Sequence, residues 1–281
     1  MIKVKDLAFS YAPKPFIENV TFEVNNGEIF GFLGPSGAGK STLQKILTGV
    51  LRHYTGSVSV NGVNVKSANA AFYEMIGVDF EYPSLYEKLS GNENLIYFAS
   101  LYKNHRDIDA LIKSVGLQFD ANKRVYEYSK GMKSRLNFIK ALLHNPEILF
   151  LDEPTNGLDP SNALMMKDII RLEKSKGKTI ILTTHNMQDA TELCDRVAFI
   201  VDGKIRTIGT PRNLIMSRGA AQITYSYIDE SLEKFASVSI DSTAIDPSLL
   251  AAISCNKLSS IHSSEPSLND IFIEITGRSL Q

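Results

Sequence analysis

The sequence predicts an α/β protein: a parallel-sheet core, an antiparallel β subdomain at the N-terminus and an inserted helical subdomain. Three observations predict it. Residues 148–201 alternate short apolar runs with helical periodicity, the pattern of strands joined by crossover helices. A glycine-rich turn stands between the apolar run 28–33 and a helix-like stretch at 42–48. Residues 2–33 read as β, whereas 82–128 carry apolar residues at three- and four-residue spacing.

The elements follow in order. Residues 2–9 and 16–24 read as strands, with Tyr11 just after the first, and Asn26-Gly27 reads as a hairpin turn before the strand that feeds the glycine-rich loop. A second hairpin pairs 56–60 with 63–65 across Asn61-Gly62, and a short strand at 76–80 ends at Glu81-Tyr82-Pro83, where proline blocks continuation. Helices are expected at 92–101, 108–115 and 129–144, the last burying Leu136, Ile139, Leu142 and Leu143 and stopping before Pro146. The run 148–151 suits a strand covered on both faces. Helix 160–176, strand 179–183, helix 187–194 and strand 196–201 follow, and Asp202-Gly203 turns the chain into an edge strand at 204–208.

Past about Gly219 the chain becomes Ser-rich, and residues 220–281 hold three basic against eight acidic residues, a net of −5. The expected organisation is a main domain at 1–217, with its helical subdomain at about 82–140, and a small appendage at 218–281. Within the appendage, 222–228 reads as a strand and 268–275 is apolar enough to pack.

Among 281 residues, 43% are apolar, enough for a buried core. No apolar run approaches the roughly 18 residues of a membrane span, and the N-terminus lacks the apolar stretch of an export signal, so cytoplasmic residence is expected. Cys194 and Cys255 have no metal or redox spacing and read as buried thiols. A net charge of −1 gives no electrostatic drive toward nucleic acid.

Two stretches carry chemistry. Gly34-Pro35-Ser36-Gly37-Ala38-Gly39-Lys40-Ser41-Thr42 fits strand, G-x-x-x-x-G-K-[ST], helix. A polyphosphate needs several backbone N–H groups aimed at it from close range, which a turn with glycine at 34, 37 and 39 allows, since glycine alone accepts positive φ without strain. The helix that follows adds its positive N-terminal end. Lys40 brings a full charge, and the Ser41 hydroxyl is placed to ligate Mg²⁺. The second stretch delivers Asp152 and Glu153 at the C-terminal end of an apolar strand, the edge where ligands sit in α/β sheets. Asp152 suits Mg²⁺, and Glu153 suits an attacking water on the far side of a nucleotide's γ-phosphate.

Taken with Tyr128-Ser129-Lys130-Gly131-Met132, Asp152-Glu153-Pro154-Thr155-Asn156-Gly157-Leu158-Asp159-Pro160 and Thr184-His185, the glycine loop resembles the P-loop NTPase subunit of ATP-binding-cassette (ABC) transporters. The order and spacing match over residues 1 to about 217. The resemblance implies that Ser129, Lys130, Gly131 and Met132 form the signature motif facing the ATP of another subunit, with Tyr128, Lys130 and Met132 departing from its usual Leu-Ser-Gly-Gly-Gln form. Ser129 also reads as an ordinary N-cap, and Asp159, the subunit-communicating aspartate by resemblance, caps the helix beginning at Pro160. His185 corresponds to the switch histidine that touches the γ-phosphate and orients Glu153; Tyr11 corresponds to the aromatic that stacks on adenine or is otherwise a core tyrosine. Glu81 stands where the family usually has a glutamine that touches Mg²⁺.

This carboxylate, the Ser-Lys-Gly-Met form of the signature and the ending Pro266-Ser267-Leu268-Asn269-Asp270-Ile271-Phe272 resemble the drug and bacteriocin exporter branch. ATP and Mg²⁺ are the implied cofactors. The implied partners are an integral membrane permease subunit and a second ATPase subunit, identical or not, which place the chain on the inner face of the cell membrane. Of the aromatics at 82–128, Tyr82 and Tyr86 are candidates for the permease groove and Tyr97, Phe98 and Tyr102 for core. The rival reading is a soluble ABC-type ATPase acting on nucleic acid or ribosomes, which usually needs two cassettes or a long coiled coil.

Overall fold

A computed structural model describes residues 1–13, 15–218, 222–229, 232–239, 246–264 and 266–277. The chain divides after Gly209 into two compact units. In the first, β1 (Ile2–Phe9), β2 (Ile17–Val24), β4 (Thr55–Val60) and β5 (Val63–Asn64) form an antiparallel sheet in the order β2-β1-β4-β5. The second sheet of this unit runs β10-β9-β3-β8-β7-β6, built from β3 (Ile29–Leu33), β6 (Ile76–Asp79), β7 (Ile148–Asp152), β8 (Thr179–Thr184), β9 (Arg196–Val201) and β10 (Lys204–Gly209). Every pairing in it is parallel except that of β10 with β9.

Strands β3, β7 and β8 are buried along their whole length, which explains their uninterrupted apolar character: both faces are covered. Phe22 of the antiparallel sheet packs on Phe30 and Phe32 of β3 with ring centroids 5.7 and 5.2 Å apart. Burying one such side chain stabilises by about 1.5–3 kcal/mol, so this aromatic cluster is a principal bond between the two sheets.

The Asn26-Gly27 turn forms, with Gly27 at φ +72°, yet it joins no hairpin. It carries the chain from β2 in one sheet to β3 at the centre of the other, because β3 is apolar on both faces and finds its partners in β8 and β9. Helices α1 (Lys40–Leu47) and α2 (Ala70–Met75) follow β3 and precede β6; α2 is short and has no counterpart in the sequence reading.

Between β6 and β7 lie α3 (Gly91–Ala99), α4 (Ile108–Ser114) and α5 (Lys130–Leu142). The buried residues of this segment include Leu95, Leu111, Ile112, Val115, Leu117 and Leu136; of the aromatics expected in the core, Tyr97 is exposed and Phe98 and Tyr102 are half-buried, while the groove candidates Tyr82 and Tyr86 are exposed. The aliphatic side chains pack the three short helices at close range, and the bulkier rings stay at the rim, where Tyr86 and Tyr97 stack edge-on at 4.9 Å. Helices α6 (Pro160–Ser175) and α7 (Met187–Leu193) cross between β7, β8 and β9.

The second unit contains α8 (Pro211–Arg218), α9 (Pro247–Ser254), α10 (Leu268–Thr276) and a sheet in the order β12-β11-β13, from β11 (Gln222–Asp229), β12 (Leu232–Ser239) and β13 (Leu258–Ser264). Its division from the first unit falls eight residues before the expected domain boundary at 217. Cys255 is exposed, against the sequence reading, because it caps the open C-terminal end of α9; Cys194 is buried, with its thiol pushed up by burial.

Candidate active site

Strand order builds the site. With β3, β8, β7 and β6 side by side and parallel, their C-terminal ends set four loops in a row: the glycine loop, His185, Asp152-Glu153 and Glu81. This is the edge at which α/β sheets bind ligands.

The glycine loop runs from Leu33 into α1. Gly37 and Gly39 take φ of +78° and +110°. Gly34 does not, and glycine stands there for space: a Cβ would lie 2.1 Å from the Ile200 carbonyl oxygen. The Lys40 ammonium donates to the carbonyls of Gly34 (2.6 Å) and Pro35 (3.1 Å), so it caps the loop that a phosphate would fill. Burial lowers its pKa, opposed by the charges of Glu153, Asp152 and Glu81, and those three names are the acidic lining of the site. Pro35, Ser36 and Ala38 complete the loop, Ala38 being buried.

Ser41 Oγ lies 3.4 Å from Asp152 Oδ1, and Thr183 donates its hydroxyl to the same oxygen. Two hard oxygen donors thus converge beside Lys40, the donor chemistry that Mg²⁺ prefers. Glu153 is half-buried in the left-handed region at φ +53°. Its Oε1 is 2.8 Å from His185 Nδ1, and its Oε2 accepts from the Thr184 hydroxyl at 3.2 Å and from the His185 N–H at 3.4 Å. Burial raises its pKa, and the His185 bond pulls the other way, so the carboxylate is both a stronger base than an exposed glutamate and held in one direction.

Glu81 is exposed and lines a cavity of about 270 Å³ together with Lys130, Asp152 and Glu153. A compensating cation therefore stands in the same cavity as the extra carboxylate. Tyr11 is 60% exposed, its hydroxyl 3.1 Å from Thr42 Oγ1 and its ring against Phe9 and Phe16 at 4.6 and 5.6 Å. It walls a cleft beside Gly37, so it is no core tyrosine.

The ABC transporter profile matches residues 17–156. Across its full length the chain is 47% identical to the fluoroquinolones export ATP-binding protein of Mycobacterium tuberculosis, covering 94% of that protein. The chain belongs to the ABC transporter family. It is also 31% identical to the linearmycin resistance ATP-binding protein LnrL of Bacillus subtilis, with complete coverage of both. A solved ATP-binding subunit of an ABC transporter superposes with a TM-score of 0.72 at 30% identity, over 77% of this chain and 92% of that one. The chain is accordingly an ATP-binding ATPase of ABC type.

Of the four positions expected to form the signature, Lys130 lines the cavity with Glu81, Asp152 and Glu153, whereas Ser129, Gly131 and Met132 do not. Ser129 is exposed and caps α5, accepting from the Met132 N–H at 3.2 Å. A Cβ on Gly131 would sit 3.3 Å from Leu158, and Lys130 packs over Gly157. Asp159 caps α6, accepting from the Asn162 N–H at 3.0 Å, and those bonds hold its carboxyl below the usual carboxylate range. The cap roles of Ser129 and Asp159 are therefore present.

Sequence reasoning missed Asp79 and Asn137. Asn137 Nδ2 of α5 donates to Asp79 Oδ1 (2.5 Å) and to the Phe80 carbonyl (3.2 Å), which ties the helix of the signature to the segment that carries Glu81. Burial pushes the Asp79 carboxyl up to about 7. Neither residue belongs to a motif, and no sequence signal pairs them.

Proposed function

We propose that the chain is the ATPase motor of a drug exporter, working from the inner face of the membrane on a separate permease. The carrying observation is the division of the site: Lys40, Asp152, Glu153 and His185 converge, while Ser129 sits exposed on a helix N-terminus turned away from its own subunit's interior. In this reading each glycine loop binds one ATP, and Ser129 and Gly131 of a second copy close over its γ-phosphate, using the α5 N-terminus as an anion site. Ser41, Asp152 and Glu81 would hold Mg²⁺, which neutralises phosphate charge when bound. Glu153 accepts a proton from the attacking water, with His185 fixing the direction of its carboxylate. Tyr11 flanks the adenine of the bound ATP in the cleft beside Gly37.

The exporter assignment draws on relatives named for fluoroquinolone export and linearmycin resistance, each spanned over nearly its whole length. None of the helices among the described residues is long and apolar enough to cross a membrane, and in this reading the permease is a separate polypeptide. The test is purification from membranes in mild detergent, followed by ATPase assays of whatever complex is recovered. A co-purifying polytopic protein and turnover stimulated by fluoroquinolones or linearmycin support the reading. Full ATPase activity with no membrane partner and no response to any such compound contradicts it.

A further inference from the structure

Three residues that no motif role explains form one partly buried polar bridge, centred on buried Asp189, behind the catalytic pair. Thr155, two residues after Glu153, donates its hydroxyl to Asp189 Oδ2 at 2.5 Å. Asp189 is 4% exposed and lies in the first turn of α7, four residues after His185. Its other oxygen lies 2.5 Å from Lys167 Nζ of α6, and Lys167 also reaches Glu192 at 2.9 Å. Both oxygens of a buried carboxylate are thus committed, one to the loop that carries Glu153 and one to the helix that Asp159 caps.

We infer that the Thr155–Asp189–Lys167 bridge positions Glu153 and His185 for hydrolysis, so that Asp189 and Thr155 act on turnover through the catalytic pair rather than through ATP binding. The inference rests on the function proposed above.

The physical need is visible at Glu153. A glutamate at φ +53° persists only where its surroundings fix it. On one side its N–H donates to the Thr183 carbonyl at 2.9 Å, and its own carbonyl accepts from Asn156 at 3.0 Å. These bonds hold the backbone but leave the relation of the 153–159 loop to α7 open. The side-chain contact between His185 and Glu153 spans that gap at 2.8 Å, and it must loosen and reform as a proton passes through the site. The hydroxyl of Thr155 on Asp189 spans the same gap with groups that take no part in proton transfer. Asn186 accepts from the Asp189 N–H at 3.1 Å, so the bridge also fixes the start of α7 and with it the residue just before, His185. A shift of about 1 Å in such a pair can cost on the order of a hundredfold in rate.

The experiment measures steady-state ATPase and fluorescent-nucleotide affinity of the full chain carrying Thr155→Val, Thr155→Ser, Asp189→Asn, the Thr155→Val/Asp189→Asn pair, or Glu153→Gln. The expected result is a kcat loss of about tenfold or more in Thr155→Val and Asp189→Asn, with nucleotide Kd within about twofold of the parent. Thr155→Ser, which keeps the hydroxyl, restores most of the rate, and the double variant is no slower than the worse single, since both changes break one bond. A kcat within about twofold of the parent in Thr155→Val, losses that multiply in the pair, or a Thr155→Ser as slow as Thr155→Val overturns the inference. If Asp189→Asn does not fold, the Val and Ser variants at 155 decide alone. Normal hydrolysis by Glu153→Gln sinks the proposed function itself, whereas loss confined to Glu153→Gln sinks only the bridge.

Discussion

At the scale of single residues, burial rather than charge decides the chemistry of this site. Glu153 becomes a better base because desolvation outweighs the His185 bond that opposes it. The same reasoning makes Asp79 a testable case. Its carboxyl is raised from an ordinary 3.8 to about 7 chiefly by burial, against Lys140 and the Asn137 bond, with the Asp152 charge adding to the rise. A folded-state pKa above the unfolded one means stability that is full below about pH 4 and is lost as pH rises through about 7. Asp79→Asn keeps the size and removes the ionisation, so its advantage in melting temperature should grow between pH 4 and 7 and level off above that. Thermal melts across this range check it; an advantage that shrinks with rising pH would mean that Asp79 is ionised and satisfied in the fold.

What the sequence disclosed at this scale has a clear limit. Gly34, Lys40, Ser41, Asp152 and Glu153 were legible because phosphate and metal chemistry require those residue types at fixed spacing. The reason for Gly34 was not, since its conflict is with Ile200, which lies far along the chain. Thr155 and Asp189 stand 34 residues apart, and a hydroxyl with a carboxylate at that distance has no local signature.

At the scale of elements, the proposed dimer gives α5 two functions on one residue, and they can be separated. Ser129 caps the helix in its own subunit and, in the proposed dimer, meets the phosphate of the other. Asp is as good an N-cap as Ser, and replacement of a cap by Ala costs about 1 kcal/mol. Ser129→Asp should therefore leave the melting temperature near that of the parent while placing a negative charge against the γ-phosphate, abolishing ATP-driven dimerisation in light scattering. Dimerisation that survives Ser129→Asp would show that Ser129 is a cap and nothing more.

Periodicity exposed most of the elements of the first unit, because long helices and fully buried strands leave strong patterns. It misplaced the Asn26-Gly27 turn, whose local chemistry is that of a hairpin while the pairing of β3 is settled by β8 and β9. It did not find β12, α9 or β13. Strands β12 and β13 are rich in serine, Leu232 and Phe235 of β12 are exposed, and α9 has only two turns to show a period.

At the scale of the whole molecule, the order β3-β8-β7-β6 is the device that turns four separate sequence motifs into one site. Residues 40, 81, 152, 153 and 185 meet because their strands are neighbours and point the same way. The same topology leaves Ser129 outside that cluster, on the helix that Asn137 ties to the Glu81 segment. In the proposed dimer, a second copy of the chain closes over an ATP bound at this cluster. The central claim is that ATP closes two chains together and that Glu153 reopens them.

Light scattering and phosphate release on Glu153→Gln with Mg²⁺ and ATP test this most directly. A positioned general base contributes about 10²- to 10⁴-fold, so phosphate release should fall at least about a hundredfold while an ATP-bound dimer accumulates. A variant that still releases phosphate at the parent rate, or that binds ATP and stays monomeric, would contradict the account.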